Sequence, residues 1–151
     1  MCEELSFERI LARPLPHKYE VGEPAFGEAV AWGPAIDYWM GLGMERIAAS
    51  EKELTRYATE RLSAIRGVRV LGAESDRVSV VSFLGDGVDP KDVEKELDRR
   101  GIAVRAGDMD AKPMLEALGT DVAVRASFMF YNTRQEAELL ADAVAELARR
   151  H

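Results

Sequence analysis

Cysteine is almost missing from this chain. A single residue, Cys2, occurs among 151, so no internal disulfide can form and no cysteine-rich metal cage is available. Cys2 lies beside the terminus and reads as incidental rather than as a nucleophile. Histidine is nearly as scarce. His17 and His151 sit at opposite ends, neither with a partner at ligand spacing, so no metal site and no catalytic dyad is expected. No apolar run approaches the roughly 18 residues of a membrane span. The first residues also lack the apolar stretch of a signal peptide, and a cytoplasmic location is the expectation. A basic excess is absent too. The net charge of −7 argues against nucleic acid or an anionic membrane as partner, and both signs are scattered along the helices as on a solvated surface.

What is present suits a soluble globule. Hydrophobic residues make up 47% and charged residues 31%, ordinary values that argue against disorder. A chain of this length suits one domain, burying about 68–70% of its unfolded surface. Residues 1–24 carry Pro14, Pro16 and Pro24, with His17 and Lys18 between, and read as an extended arm. Residues 25–151 read as the folded domain.

Within that domain the apolar positions Phe26, Ala29, Val30, Trp32, Ile36, Trp39 and Met40 recur at helical spacing up to Gly41 and Gly43. A second helix is expected from about Met44 to Ile65, with a stripe of Ile47, Leu54, Ala58 and Leu62. Strands are expected at 68–71, 78–84, 102–105 and 122–130. Asp89-Pro90 opens a helix running to Arg100, a short helix covers 112–118, and Thr133 with Glu136 caps a last helix. The predicted class is α+β, a small antiparallel or mixed sheet of about four strands with helices packed on one face. Val80, Val81 or Phe83, Leu97, Val104, Leu140 and Val144 are its expected core.

Two runs carry the strongest chemical signal. Residues 101–115 read Gly-Ile-Ala-Val-Arg-Ala-Gly-Asp-Met-Asp-Ala-Lys-Pro-Met-Leu, and residues 124–133 read Val-Arg-Ala-Ser-Phe-Met-Phe-Tyr-Asn-Thr. Their order resembles the C-terminal domain of class V aminotransferases, above all the SufS-type cysteine desulfurases, which typically read R-A-G-H-H-C and R-A-S-x-x-x-Y-N-T there. Upstream, Tyr19 to Pro24 resembles F-E-A-G-T-P, Gly33 to Tyr38 resembles G-A-A-I-D-Y, and Leu42 to Ile47 resembles L-G-M-x-x-I. The likeness spans about Tyr19 to Arg149.

The resemblance implies a pyridoxal-phosphate (PLP) enzyme of which this chain is the small domain. Asp108, Met109 and Asp110 stand at the family's His-His-Cys positions, so the nucleophilic thiol is replaced by the Asp110 carboxylate. Glu23 stands where the family threonine donates to the cofactor phosphate, and an anion there repels one. Arg125 falls on the arginine that grips a substrate carboxylate. A guanidinium fork suits that task, and a surface arginine on an edge strand is the competing reading. Arg105 keeps its family identity, with a structural role before the turn at Gly107 as open as a substrate role. Asp108 and Asp110 have the i, i+2 spacing of calcium loops but lack the rest of that pattern, so a solvated loop is expected. None of Lys18, Lys52, Lys91, Lys95 and Lys112 lies in the family's S-x-H-K context. PLP therefore belongs to the intact family, with none expected on this chain alone, which is expected to be inactive until a PLP-lysine large domain completes it. The alternative is a stand-alone, non-enzymatic interaction domain. On either reading the Trp32/Trp39 helix needs cover, from the large domain or from a second copy in a homodimer.

Overall fold

The computed structural model describes residues 2–20, 22–74 and 77–149. Packing divides the chain into two units, Met1–Gly43 and Met44–His151.

The first unit holds more regular structure than its prolines suggest. β1 (Cys2–Leu5) pairs antiparallel with β2 (Ile10–Ala12). The turn between them is organised by Ser6, whose hydroxyl accepts the amide of Arg9 at 3.0 Å while its own amide donates to the Arg9 carbonyl at 2.9 Å. The expected extended arm is thus a hairpin up to Ala12. Its prolines begin only at Pro14, where a 3-10 turn, His17–Tyr19, follows. α1 (Phe26–Leu42) then runs through Gly41 and past Pro34, which lacks the donor for one helical bond, and ends at Gly43 with φ 89°. Apolar side chains circle α1, and none of its residues is buried.

The second unit is built around a four-stranded antiparallel sheet in the order β3-β4-β6-β5. Its strands are β3 (Val68–Val70), β4 (Val80–Gly85), β5 (Arg105–Gly107) and β6 (Ala123–Ser127). The helices are α2 (Met44–Ser63), α3 (Pro90–Asp98), α4 (Lys112–Ala117) and α5 (Arg134–Ala148). No helix among the described residues is long and apolar enough to cross a membrane.

Alternation along the strands decides the layers. Val81 and Phe83 of β4 and Val124 and Ala126 of β6 face a core filled by Leu54, Ala58 and Leu62 of α2, Val93 and Leu97 of α3, and Leu140, Val144 and Leu147 of α5. Phe83, Leu97, Val81 and Leu62 are fully enclosed, each stabilising the fold by about 1.5–3 kcal/mol. Val80 and Val104 are only half-buried. The other face carries Arg125 and a smaller cluster of Leu71, Leu115 and Ala123. The α+β class, the four strands and the three helices on one face follow the sequence reading, with short α4 on the opposite face.

Side-chain caps fix the starts of α3 and α5. The Asp89 carboxylate accepts the Lys91 amide at 2.8 Å with Pro90 in the first turn. Thr133 and Glu136 form the full capping box of α5. The third strand is displaced from its expected place at 102–105. The Ile102 amide turns back onto the Leu97 carbonyl at 3.0 Å, closing α3, and ladder pairing starts only where Arg105 meets Arg125. Ile102 and Val104 are apolar because they pack against the core without joining a ladder.

Candidate functional site

The β5 edge of the sheet collects the charged residues. In the β5–β6 register Arg105 lies directly opposite Arg125, Ala106 opposite Val124 and Gly107 opposite Ala123. Residues so paired project from the same face with Cβ atoms about 4.5–5.5 Å apart, and like charges at such a pair are unfavourable. Arg125 is half-buried, and its Nε is enclosed without an acceptor among the described residues. A buried donor left in that state calls for a ligand or an explanation.

Both arginines line an open cleft of about 700 Å³ whose walls come from residues 100–105, 125–129 and the start of α5. The other charged groups of the cleft are committed elsewhere. Arg100 donates to Glu146 at 2.7 Å and reaches Glu96 at 3.6 Å. The hydrogen bond to Glu146 holds its pKa above the usual guanidinium value. Glu136 accepts the Thr133 amide at 2.6 Å and the Asn132 side-chain amide at 3.3 Å. The backbone bond from Thr133, then the side chains of Asn132 and Thr133, hold its carboxyl below the ordinary range. Arg105 and Arg125 are left as the cationic pair facing the opening. Two planar forks on adjacent strands suit a carboxylate, which relieves their mutual repulsion and supplies acceptors.

Among the described residues Arg105 has one acidic neighbour within ion-pair range. Asp110 approaches it at 3.9 Å, with both side chains largely exposed. The connecting loop is tightly turned. Met109 and Asp110 both take left-handed backbone angles, φ 54° and 56°. Asp108 holds them there. Its carboxylate accepts the Asp110 amide at 3.2 Å, its carbonyl accepts the Ala111 amide at 2.9 Å, and Lys112 lies 4.0 Å away. The Asp108 carboxylate thus organises its own loop, and no group of three metal-ligating side chains exists among the described residues.

Glu23 belongs to the first unit, where it is exposed. His17 bonds Glu20 at 2.6 Å in the same unit. The Cys2 side chain and all of His151 lie outside the described residues. Sequence reasoning missed Glu94, which accepts the Ala106 amide at 2.9 Å, and the wall formed by Tyr131, Asn132 and Glu136. The first hid as one more helix charge. In the second, Tyr131 and Asn132 were read only as part of the family-like run and Glu136 only as a helix cap.

This architecture is that of a known family. The family model described as aminotransferase class V matches residues 1–140, and the chain belongs to that family. It is similar to several cysteine desulfurases. It is 41% identical over 148 residues to a probable cysteine desulfurase of Mycobacterium leprae, covering 98% of this chain and 24% of that protein. It is 39% identical to a cysteine desulfurase of Synechococcus elongatus, covering 97% and 24%. An apo cysteine desulfurase structure from Thermococcus onnurineus superposes with a TM-score of 0.80 at 31% identity, over 99% of this chain and 38% of that one. The chain thus spans about a quarter to two-fifths of the relatives it matches.

Proposed function

We propose that this chain acts as the carboxylate-binding small domain of a PLP-dependent, SufS-like amino-acid enzyme, completed by a PLP-lysine large domain. The observation that carries this reading is the enclosed, acceptor-less Nε of Arg125 directly across from Arg105. Arg125 takes the α-carboxylate, and Arg105 adds a second cation at the same mouth. Glu23 is the weakest member of the set, since an anion disfavours a phosphate.

The chain's own residues do not build a PLP site. No lysine lines the cleft, and Lys95 and Lys112 are engaged by Asp92 at 3.0 Å and Asp108 at 4.0 Å. A Schiff-base lysine must come from the large domain. With Asp110 at the family's cysteine position, no persulfide forms there. The isolated chain is therefore inactive as a desulfurase and holds no PLP.

Titrating the isotopically labelled chain with propionate tests the reading. The amide and Nε signals of Arg105 and Arg125 should shift saturably, and Arg125→Ala should abolish the shifts. Unchanged spectra in the wild type would defeat the carboxylate assignment. In a parallel sample, PLP followed by borohydride should leave no adduct. A stoichiometric adduct on one lysine would overturn the claim that the large domain is needed.

A second reading rests on α1, whose Phe26, Val30, Trp32, Ile36, Trp39 and Met40 are all exposed. On it the chain is a stand-alone, non-enzymatic domain that pairs with a second copy of itself through this helix.

A further inference from the structure

β5 is poorly equipped to stay on the sheet. It is three residues long, it is an edge strand, and its first rung pairs two arginines. Its middle residue, Ala106, turns its amide away from β6. That amide is captured at 2.9 Å by Oε1 of Glu94, a half-buried side chain on α3 between the enclosed Val93 and Leu97. A carboxylate accepting a backbone amide makes a charge-assisted bond, stronger than a neutral one. α3 is anchored through Val93 and Leu97 in the main core, so Glu94 ties the loosest strand to one of the firmest helices.

We propose that Glu94 is a positioning residue: by clamping Ala106 to α3 it holds Arg105 in register with Arg125 and so sets the geometry of the carboxylate-binding pair. This rests on the reading of the cleft given above and assigns Glu94 a part in it. The clamp acts one residue from Arg105, so small displacements of β5 pass directly to the guanidinium. Pre-organising two forks for one carboxylate improves affinity by avoiding the ordering cost on binding. The clamp also occupies the outward amide of the edge, closing the place where a foreign strand would pair.

Amide exchange, Nε signals and propionate titration on the full chain test the proposal. In Glu94→Ala the Ala106 amide should exchange about tenfold faster, while Val81 and Phe83 keep wild-type protection and report an intact core. The Nε signals of Arg105 and Arg125 should move, and propionate should bind about threefold more weakly. Glu94→Gln retains a side-chain oxygen acceptor and should restore all three to within about twofold of wild type. A merely structural contact would alter stability without moving the arginine signals or the affinity. Unchanged Ala106 exchange in Glu94→Ala would overturn the proposal, as would faster exchange with unmoved arginine signals. If the wild-type chain binds no propionate, the carboxylate reading fails by itself, and exchange and arginine signals still decide the role of Glu94.

Discussion

Arg105 and Arg125 show how a residue's neighbours decide its meaning. Both are arginines on short strands, yet Arg125 is half-enclosed with an unanswered Nε while Arg105 is open and faces Asp110. The sequence left each with two readings, because a surface arginine and a ligand-binding one are spelled alike. The register that pairs them is a long-range fact no local pattern contains. Glu136 is the opposite case. Its part was legible as a capping box from the Thr133 spacing alone, and it carries a pH signature. The Thr133 and Asn132 hydrogen bonds hold its folded pKa below the ordinary carboxylate value. The stability it adds is therefore complete above the unfolded value and disappears as pH falls through the lower folded one. Glu136→Gln should flatten the acid limb of a urea-stability profile between neutral and strongly acidic pH. An unchanged limb would mean the box contributes nothing measurable.

The elements sort by what writes them. α3 and α5 were legible because caps and apolar stripes agree. Asp89, Pro90, Thr133 and Glu136 mark their starts, and Leu97, Leu140 and Val144 face inward as the spacing requires. The strands were legible in number but not in extent. Val78 is exposed, so β4 begins later than its β-branched run. Ile102 and Val104 serve the core from outside the ladder, which moved β5 by three residues. The hairpin of β1 and β2 was missed because its turn depends on the Ser6 hydroxyl, a signal weaker than the prolines that follow. At this scale the sharpest expectation concerns α5. Leu140→Ala should lower unfolding stability by about 2–5 kcal/mol, since Leu140 is buried in the main core. An unaltered melting temperature would show that the helix is not packed as described.

For the molecule as a whole, α1 poses the outstanding demand. Trp32 is 67% and Trp39 42% exposed, on a helix with apolar side chains all round. Such a helix is normally buried. In an intact enzyme we assign its cover to the large domain. For the chain alone we expect a homodimer through α1, because two-fold pairing is the commonest closed assembly. Sedimentation equilibrium should give twice the chain mass at micromolar concentration, and Trp39→Glu should give one. A wild-type mass of one chain would mean that the helix is covered in another way.

The loop between β5 and α4 stands apart from the packing that holds the domain together. Neither hydrophobic cluster draws a residue from positions 105–113. Beyond the ladder of β5, residues 108–113 are therefore held by their own turn and contribute no side chain to either cluster. Side chains at positions 108–110 can therefore change without repair of the core. Chemistry at this mouth is free to drift while the scaffold stays still, so good folding is poor testimony to what the loop does.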